Sequence, residues 1–170
     1  MGCNWQSGSF VLGIETDIDY LGASKTTNRT GVAATAPLLG SVTQKLGWLG
    51  TVRGRVGVTP ATDWLIYATG GLAYGRTHYS HLFVNTSGTP NEGFAGSASD
   101  IPVGWTIGAG AEFMMTSNWT VKGEYLYYDL GSTRVVGLPF NQRANGFGAD
   151  GNYQTKGNLV RVGLNYKFGP

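Results

Sequence analysis

The sequence lacks any long hydrophobic run. No stretch approaches the roughly 18 consecutive apolar residues of a membrane-spanning helix. Charge is also scarce: charged residues make up 13% of the 170 residues, whereas a soluble domain carries about a quarter. The shortage of charge indicates that much of the outer surface does not face water. Without an apolar run, any contact with a membrane must be made by strands.

Cysteine is nearly absent, and no targeting signal is recognisable. Cys3 is the only cysteine, so no disulfide can form within the chain. No apolar segment precedes Cys3, and the opening MGCNWQS lacks the Ser or Thr of a myristoylation motif, so we interpret Cys3 as an ordinary strand residue. A signal peptide is missing too, which for an exported protein predicts a mature, engineered or truncated chain. The net charge of +2 is small and dispersed, which argues against nucleic acid as a partner.

Glycine, with 28 residues, and other turn-forming residues divide the chain into short segments. Six segments alternate between apolar and other residues, which is the signal of a strand. They are residues 10–20, 45–58, 64–75, 103–113, 119–128 and 159–168. Residues 3–6 look like the end of a further strand, and no segment has sustained helical periodicity. The sequence therefore predicts an all-β protein.

Short and long connections alternate between these segments. The long ones cover about residues 21–44, 76–102 and 129–158, and short turns fall at 6–9, 59–63 and 114–118. A meander with this spacing has its short turns at one end and its long loops at the other, which is typical of transmembrane barrels. We predict one antiparallel up-and-down transmembrane β-barrel domain over residues 1–170, in which residues 1–8 are the remnant of an early strand and its turn.

One face of the predicted strands carries no charge and has aromatic residues at its ends, where membrane girdles lie. The predicted girdle at the short-turn end consists of Phe10, Trp64, Phe113, Trp119, Tyr166 and Phe168. The predicted girdle at the long-loop end consists of Tyr20, Trp48, Tyr74, Trp105 and Tyr127. A soluble lipocalin-like carrier would turn this apolar face inward. The girdles, the loop asymmetry and the balanced charge of the opposite face favour the membrane orientation.

The opposite face carries five acidic and six basic residues, including Asp19 and Lys45. Nine of them are predicted to form an interior charge network. These are Glu15, Asp17, Arg53, Arg55, Glu112, Lys122, Glu124, Arg161 and Lys167. The motif GTVRGRVG places Arg53 and Arg55 on this face. The two arginines could form an anion-binding site in the interior, or they could pair with the acidic residues of the same face. We favour pairing, because an eight-stranded barrel has room only for packed side chains.

Two further motifs have a chemical and a structural interpretation. His78 and His81 could begin a metal site, but no cysteine or acid cluster adjoins them, so we interpret them as surface histidines in a loop. The segment EYLYYD (124–129) could hold a catalytic acid pair, but a girdle beside an interior carboxylate is simpler. No convincing Ser–His–Asp arrangement is present. We predict no enzyme, no cofactor and no metal.

Three long blocks carry a family resemblance. LGWLGTVRGRVGVTPATDWLIYATGGLAYG (46–75), GWTIGAGAEFMMTSNWTVKGEYLYYDLG (104–131) and NLVRVGLNYKF (158–168) resemble the small outer-membrane β-barrel proteins of alphaproteobacteria, which are rhizobial and brucella-type surface antigens of the porin or OmpA-like kind. The opening CNWQSGSFVLGIETDIDY resembles that family's second and third strands. The resemblance implies eight strands, whereas this chain supplies about six and a remnant. We therefore expect an N-terminal truncation, and we expect residues 159–168 to lack a full partner on one side.

The resemblance also implies a location and a function. We expect a structural surface protein of the bacterial outer membrane, with exposed loops for external contacts. Its expected partners are outer-membrane lipid and, during assembly, the outer-membrane insertion machinery. A porin-like channel for small solutes is the alternative. An outer-membrane enzyme that modifies lipids would need a nucleophile and a base at a girdle, and the sequence offers none.

Overall fold

In the computed structural model, residues 1–33, 36–85, 93–139 and 149–166 are described, and they form one antiparallel sheet. The strands are β1 (Gly2–Ser7), β2 (Phe10–Ala33), β3 (Ala36–Ala61), β4 (Trp64–Asn85), β5 (Gly93–Asp100), β6 (Val103–Met114), β7 (Trp119–Pro139) and β8 (Ala149–Tyr166). The predicted all-β class is confirmed. Within these ranges, no helix is long and apolar enough to cross a membrane.

The strands follow one another around the sheet. β5 pairs with the outer part of β4, from Thr77 to Val84, and β6 pairs with the inner part, from Trp64 to Tyr74. Both β5 and β6 then pair with β7. β5 and β6 therefore form one column of the sheet, interrupted at residues 101–102. The sheet has six long columns and the short β1, which agrees with the predicted six strands and a remnant.

The described sheet is not closed. Of the strands described, β1 pairs only with β2, and β8 pairs only with β7. In the described sheet β8 thus lacks a backbone partner on one side, as expected for the segment 159–168, of which residues 167 and 168 lie outside the described residues. The pairing of residues 10–20 with residues 159–168, which would close the sheet imperfectly, is not observed in the described part of the chain.

The ranges predicted as long loops are largely strand, so that prediction is wrong for secondary structure. β2 pairs with β3 up to Ala33 and Ala36, and β7 pairs with β8 up to Gly137 and Ala149. The sequence signal failed because Thr, Ser, Asn and Gly occupy both faces there, so the hydrophobic alternation that identifies a strand is absent. Residues 34–35, 86–92 and 140–148 of these ranges lie outside the described residues.

Irregularities interrupt four columns near the outer ends of the predicted segments. The register shifts between Tyr20 and Ala23, between Leu46 and Trp48, and between Asp129 and Ser132, and the fourth interruption is the break between β5 and β6. Gly22 and Gly131 have φ angles of 53° and 75°, a left-handed conformation that glycine adopts without strain.

One extra residue exchanges the inward and outward faces of a strand. In β3 the shift at Gly47 turns Leu46 inward, where it is buried, and leaves Lys45 exposed. Lys45, which the sequence pattern assigned to the charged interior face, is therefore corrected to an outward position.

Candidate functional site

The outer face of the inner half of the sheet is an apolar belt. Large aliphatic side chains are exposed along five of the six long columns, and on β7 the exposed side chain in the middle of the belt is Tyr125. Examples are Leu12, Ile14, Ile18, Val52, Val56, Ile66, Leu72, Ile107, Val160, Val162 and Leu164. Val162 is 79% exposed and Ile107 is 56% exposed. Water would not tolerate so continuous an apolar surface on a single soluble domain, whereas hydrocarbon requires it.

Aromatic side chains border the belt at both ends. At the short-turn end, Phe10, Trp64, Phe113, Trp119 and Tyr166 are exposed on the outer face. At the other end lie Tyr20, Trp48, Tyr74, Trp105 and Tyr127, with ring centroids 5.8 Å apart for Trp48–Tyr74 and 5.4 Å apart for Trp105–Tyr127. Phe168 lies outside the described residues. Ten residues separate Phe10 from Tyr20, which at roughly 3.3 Å per residue and a tilt of about 40° gives a band about 25 Å tall.

The inner face of the same strands holds a layer of paired charges. Glu124 of β7 lies at its centre, with a fully buried side chain. Its carboxylate accepts hydrogen bonds from Arg53 Nη1 at 2.9 Å and from Arg161 Nε at 2.7 Å. Tyr67 Oη donates to the same carboxylate at 3.1 Å. Because the strands bring these groups together from β3, β4, β7 and β8, the carboxylate connects four strands across the interior.

The charge layer also bridges the open side of the sheet. Arg161 Nη1 of β8 donates to Asp17 Oδ1 at 2.9 Å and to Asp19 Oδ2 at 2.7 Å, both on β2. Arg53 Nη2 donates to Asp17 Oδ2 at 2.6 Å, and Thr51 Oγ1 donates to Asp17 Oδ1 at 2.9 Å. β2 and β8 are therefore joined by side chains although their backbones do not pair in the described chain.

A second group of charges lies nearer the short-turn end. Arg55 Nη2 donates to Glu112 Oε1 at 2.8 Å, and the Arg55 guanidinium lies 3.8 Å from the centroid of the Tyr67 ring. Lys122 Nζ forms an ion pair with Glu15. Both arginines of GTVRGRVG are thus paired with acidic residues, as predicted for that motif in preference to an anion site.

The structure brings eight of the nine predicted network residues together, and Lys167 lies outside the described residues. Asp19, Thr51 and Tyr67 belong to the network but were not predicted as its members. Their signal was available in the sequence, because Asp19 and Thr51 share the inward parity of the charged residues on their own strands, and Tyr67 lies opposite the apolar face of β4.

A hydrophobic cluster fills the interior on the outer side of the charge layer. Leu46, Leu49, Ala73, Tyr128 and Leu130 form it, with Leu21 and Leu159 packed against it. Leu126, also fully buried, is paired with Leu159 in the register, next to Glu124 and Arg161. We call these eight residues the plug. Sequence reasoning missed it, because the register shifts turn side chains such as Leu46 inward and because the inward face was characterised by its charges.

The two histidines lie on opposite sides of β4. His78 is exposed, and its Nδ1 is 2.8 Å from Ser99 Oγ. His81 is only 4% exposed, which corrects its interpretation as a surface loop histidine. A spacing of three residues puts two side chains on opposite faces of a strand. His81 stacks at 6.3 Å on Tyr153, and burial lowers the pKa of its imidazole. In the described ranges, no group of three or more His, Cys, Asp or Glu side chains could hold a metal ion.

Comparisons with known proteins agree with this geometry. A family model described as outer membrane protein beta-barrel domain matches residues 1–168. A 31 kDa outer-membrane immunogenic protein of Brucella melitensis biotype 1 is 40% identical over 170 residues, covering 98% of this chain and 63% of that protein. A 22 kDa outer membrane protein of Rhizobium leguminosarum bv. viciae is 33% identical over 167 residues, covering 98% of this chain and 63% of that protein.

A more distant relative is a 25 kDa outer-membrane immunogenic protein of Brucella canis, 30% identical over 176 residues that cover 98% of this chain and 62% of that protein. The chain thus spans less than two thirds of the length of these relatives. No solved structure matched. The apolar belt, the charged interior and the family match over nearly the whole chain lead to one conclusion: the chain belongs to the outer membrane protein beta-barrel family, and it is located in the bacterial outer membrane.

Proposed function

We propose that this protein is a structural surface barrel of the outer membrane that does not conduct solutes. The plug carries the proposal. Leu49 and Leu126 are fully buried, and Leu46 and Leu130 are nearly so. The charge layer, centred on the buried Glu124, follows immediately. A solute that crosses the interior would have to displace an apolar cluster and then break paired charges.

The outer part of the sheet supports a role at the cell surface. Beyond the register shift, β2 and β3 pair from Ala23 and Leu46 to Ala33 and Ala36. Eleven residues of strand at roughly 3.3 Å each reach about 35 Å beyond the outer girdle along the strand direction. The Brucella relatives are named as immunogenic proteins. We propose that the extended hairpins of this protein likewise present its external contact surface.

The proposed partners follow from the same surfaces. Outer-membrane lipid contacts the apolar belt, and the outer-membrane insertion machinery handles the chain during assembly. We propose no enzymatic activity, because the inward acids and bases are engaged with one another. A pore would require space, and eight or fewer strands leave little of it.

A porin-like channel is the second candidate, because the interior is open at the short-turn end. A cavity of about 770 Å³ there is lined by residues such as Gln6, Thr59, Asp63, Glu112 and Thr120. A channel would need this cavity to continue past the charge layer and the plug. The two functions therefore differ in one measurable property, which is ion flux across a membrane that contains the protein.

Conductance in planar lipid bilayers tests the proposal. We expect no single-channel steps from the wild-type protein, and we expect ion flux to rise in the double variant Leu49→Ala, Leu126→Ala, which thins the plug. The matched control is Leu72→Ala, Leu164→Ala, because these leucines are 59% and 65% exposed on the lipid face. The control should stay silent. Reproducible steps from the wild-type protein would contradict the proposal and favour the channel.

A further inference from the structure

Two exposed basic residues lie directly beyond the outer aromatic girdle. Arg76 follows the girdle residue Tyr74 on β4 by two positions, so both side chains are on the outward face of that strand. Lys45 lies on the neighbouring strand β3 and points outward, since the side chain of Leu46 next to it is buried inside. We call Lys45 and Arg76 the basic pair.

The basic pair lies at the level of the lipid headgroups. Two residues of a strand tilted by about 40°, at roughly 3.3 Å each, place Arg76 about 5 Å beyond Tyr74 along the membrane normal. A bilayer with a hydrocarbon core of about 30 Å and a full thickness of about 40–45 Å has a headgroup layer of about 5–7 Å on each side. Because Tyr74 marks the edge of the hydrocarbon, the backbone of Arg76 lies within that layer.

The protein does not neutralise the charges of the basic pair. Within the described ranges, the side chains of Lys45 and Arg76 form no ion pair and no hydrogen bond. The nearest acid on the neighbouring strand β5 is Asp100, opposite Thr77. Its Oδ1 accepts a hydrogen bond from the amide of Ile101. Two uncompensated cations at this level are complementary to an anion.

The position of the basic pair in the sheet distinguishes it from other basic residues. The three short turns, residues 7–9, 59–63 and 114–118, contain no Lys or Arg. On β8, Lys156 also follows the outer girdle, but it is paired in the register with Asp129 of β7. The uncompensated positive charge next to the apolar belt therefore lies at its outer edge, on β3 and β4.

The spacing of the basic pair fits one phosphate group. Lys45 is opposite His78, which makes Lys45 and Arg76 diagonal neighbours across two antiparallel strands. Such neighbours are roughly 7–8 Å apart, within reach of long side chains. A guanidinium donates two parallel hydrogen bonds to phosphate oxygens, and an ammonium group adds a point charge. The rings of Trp48 and Tyr74 pack against each other at the adjoining edge of the belt, where the acyl chains of a lipid begin.

We propose that the basic pair binds the phosphate of an anionic lipid headgroup in the outer leaflet. Arg76 and Lys45 donate hydrogen bonds to the phosphate oxygens, and the acyl chains of the same lipid lie on the apolar belt below Trp48 and Tyr74. Continuity with the belt selects a lipid over a soluble anion. The inference thus names a lipid class within the proposed contact between the belt and outer-membrane lipid, and it rests on that contact.

Native mass spectrometry of the folded protein in detergent micelles tests the proposal. The probes are phosphatidic acid, which ends in a phosphate monoester, and phosphatidylcholine with the same acyl chains and no net charge. We expect phosphatidic acid to bind at least tenfold more tightly, because basic residues at this level attract anionic lipid. Equal affinity for the two lipids would overturn the proposal. Retention of neither lipid would refute the contact with the belt itself, and the proposal with it.

Glycerol 3-phosphate distinguishes a lipid site from a site for free anions. It carries the same phosphate as phosphatidic acid but has no acyl chains to lie on the belt. We expect glycerol 3-phosphate at the concentration of the lipid to leave the bound phosphatidic acid in place. Displacement at that concentration would show a simple anion site and would overturn the proposal.

Two double variants locate the site. Lys45→Gln, Arg76→Gln removes the basic pair and leaves no buried charge without a partner, since both residues are exposed. Lys25→Gln, Lys156→Gln is the control, because it removes the same charge from two other exposed positions. We expect the first variant to lose its preference for phosphatidic acid and the control to keep it. A preference that persists in the first variant, or that is lost equally in both, would overturn the proposal.

Discussion

At the scale of single residues, the stability of the charge layer depends on Glu124. Its buried carboxylate accepts hydrogen bonds from Arg53, Arg161 and Tyr67. Replacing Glu124 with Leu leaves the buried guanidinium of Arg53 and the partly buried guanidinium of Arg161 without this partner. Breaking a buried ion pair by removing one member typically costs about 3–5 kcal/mol. We expect a loss of that size in the free energy of unfolding, measured by urea titration in lipid vesicles.

A conservative variant at Glu124 and a control at the next residue test whether the loss of stability comes from the carboxylate. Glu124→Gln keeps the shape and can still accept the hydrogen bond from Tyr67, so its loss should be smaller. Tyr125→Leu changes the next residue of β7, which is 48% exposed on the lipid face. If Glu124→Leu costs no more than Tyr125→Leu, the charge layer does not stabilise the barrel.

At the scale of single strands, the outward positions of β6 and β8 report the contact with lipid. Ile107 and Val162 lie near the middle of the membrane-facing parts of their strands and are well exposed. An arginine at the bilayer midplane costs about 2–4 kcal/mol and close to nothing near the interfaces. We expect Ile107→Arg and Val162→Arg each to lower the free energy of unfolding in vesicles by that amount.

The outer extension of β4 supplies a matched control for these arginines. Leu82 is also an exposed aliphatic residue, at 46%, but it lies beyond the outer girdle residue Tyr74. Leu82→Arg should therefore cost about 0–1 kcal/mol. Equal costs at Leu82, Ile107 and Val162 would mean that the belt does not lie in hydrocarbon.

The membrane-facing parts of the strands could be predicted from the sequence because one constraint acts there on every second residue. Lipid excludes charge from the outward face, and a narrow interior admits only small or paired polar groups, so the period of two is pronounced in residues 10–20 and 103–113. Beyond the outer girdle, water is available to both faces. The alternation fades there, and the strand extensions were predicted as loops although their backbones remain paired.

The plug and the outward position of Lys45 were not predictable for a different reason. A pattern of period two assumes an unbroken register, whereas the extra residue at Gly47 inverts the assignments on the outer side of it, from Leu46 back along β3. Gly22 and Gly131, two of the three described glycines with positive φ, mark such positions only in retrospect, because the chain has 28 glycines and most of them lie in regular strand or turn. The interior charges escaped this error, since they lie on the inner side of the shifts.

At the scale of the whole molecule, the gap between β1 and β8 sets the limit of stability. β8 pairs only with β7 in the described chain, and Arg161 reaches β2 through its side chain alone. In hydrocarbon each unpaired backbone group costs several kcal/mol. In an antiparallel ladder every second amide of an edge strand points away from its partner, so these amides of β8 have no acceptor in the described sheet.

Hydrogen exchange of the 170-residue chain in detergent micelles measures this gap directly. We expect alternate amides between Leu159 and Asn165 to exchange fast, because only every second one is bonded to β7. Amides of β4 between Ile66 and Leu72 should all exchange slowly, since β3 and β6 flank that strand.

The gap between β1 and β8 also predicts that the chain does not show the compact, heat-resistant gel migration of a closed barrel. Uniform protection of the β8 amides together with heat-resistant migration would mean that both edge strands are paired, either with each other or with a second copy of the chain. The open sheet would then not be the form that exists in the membrane.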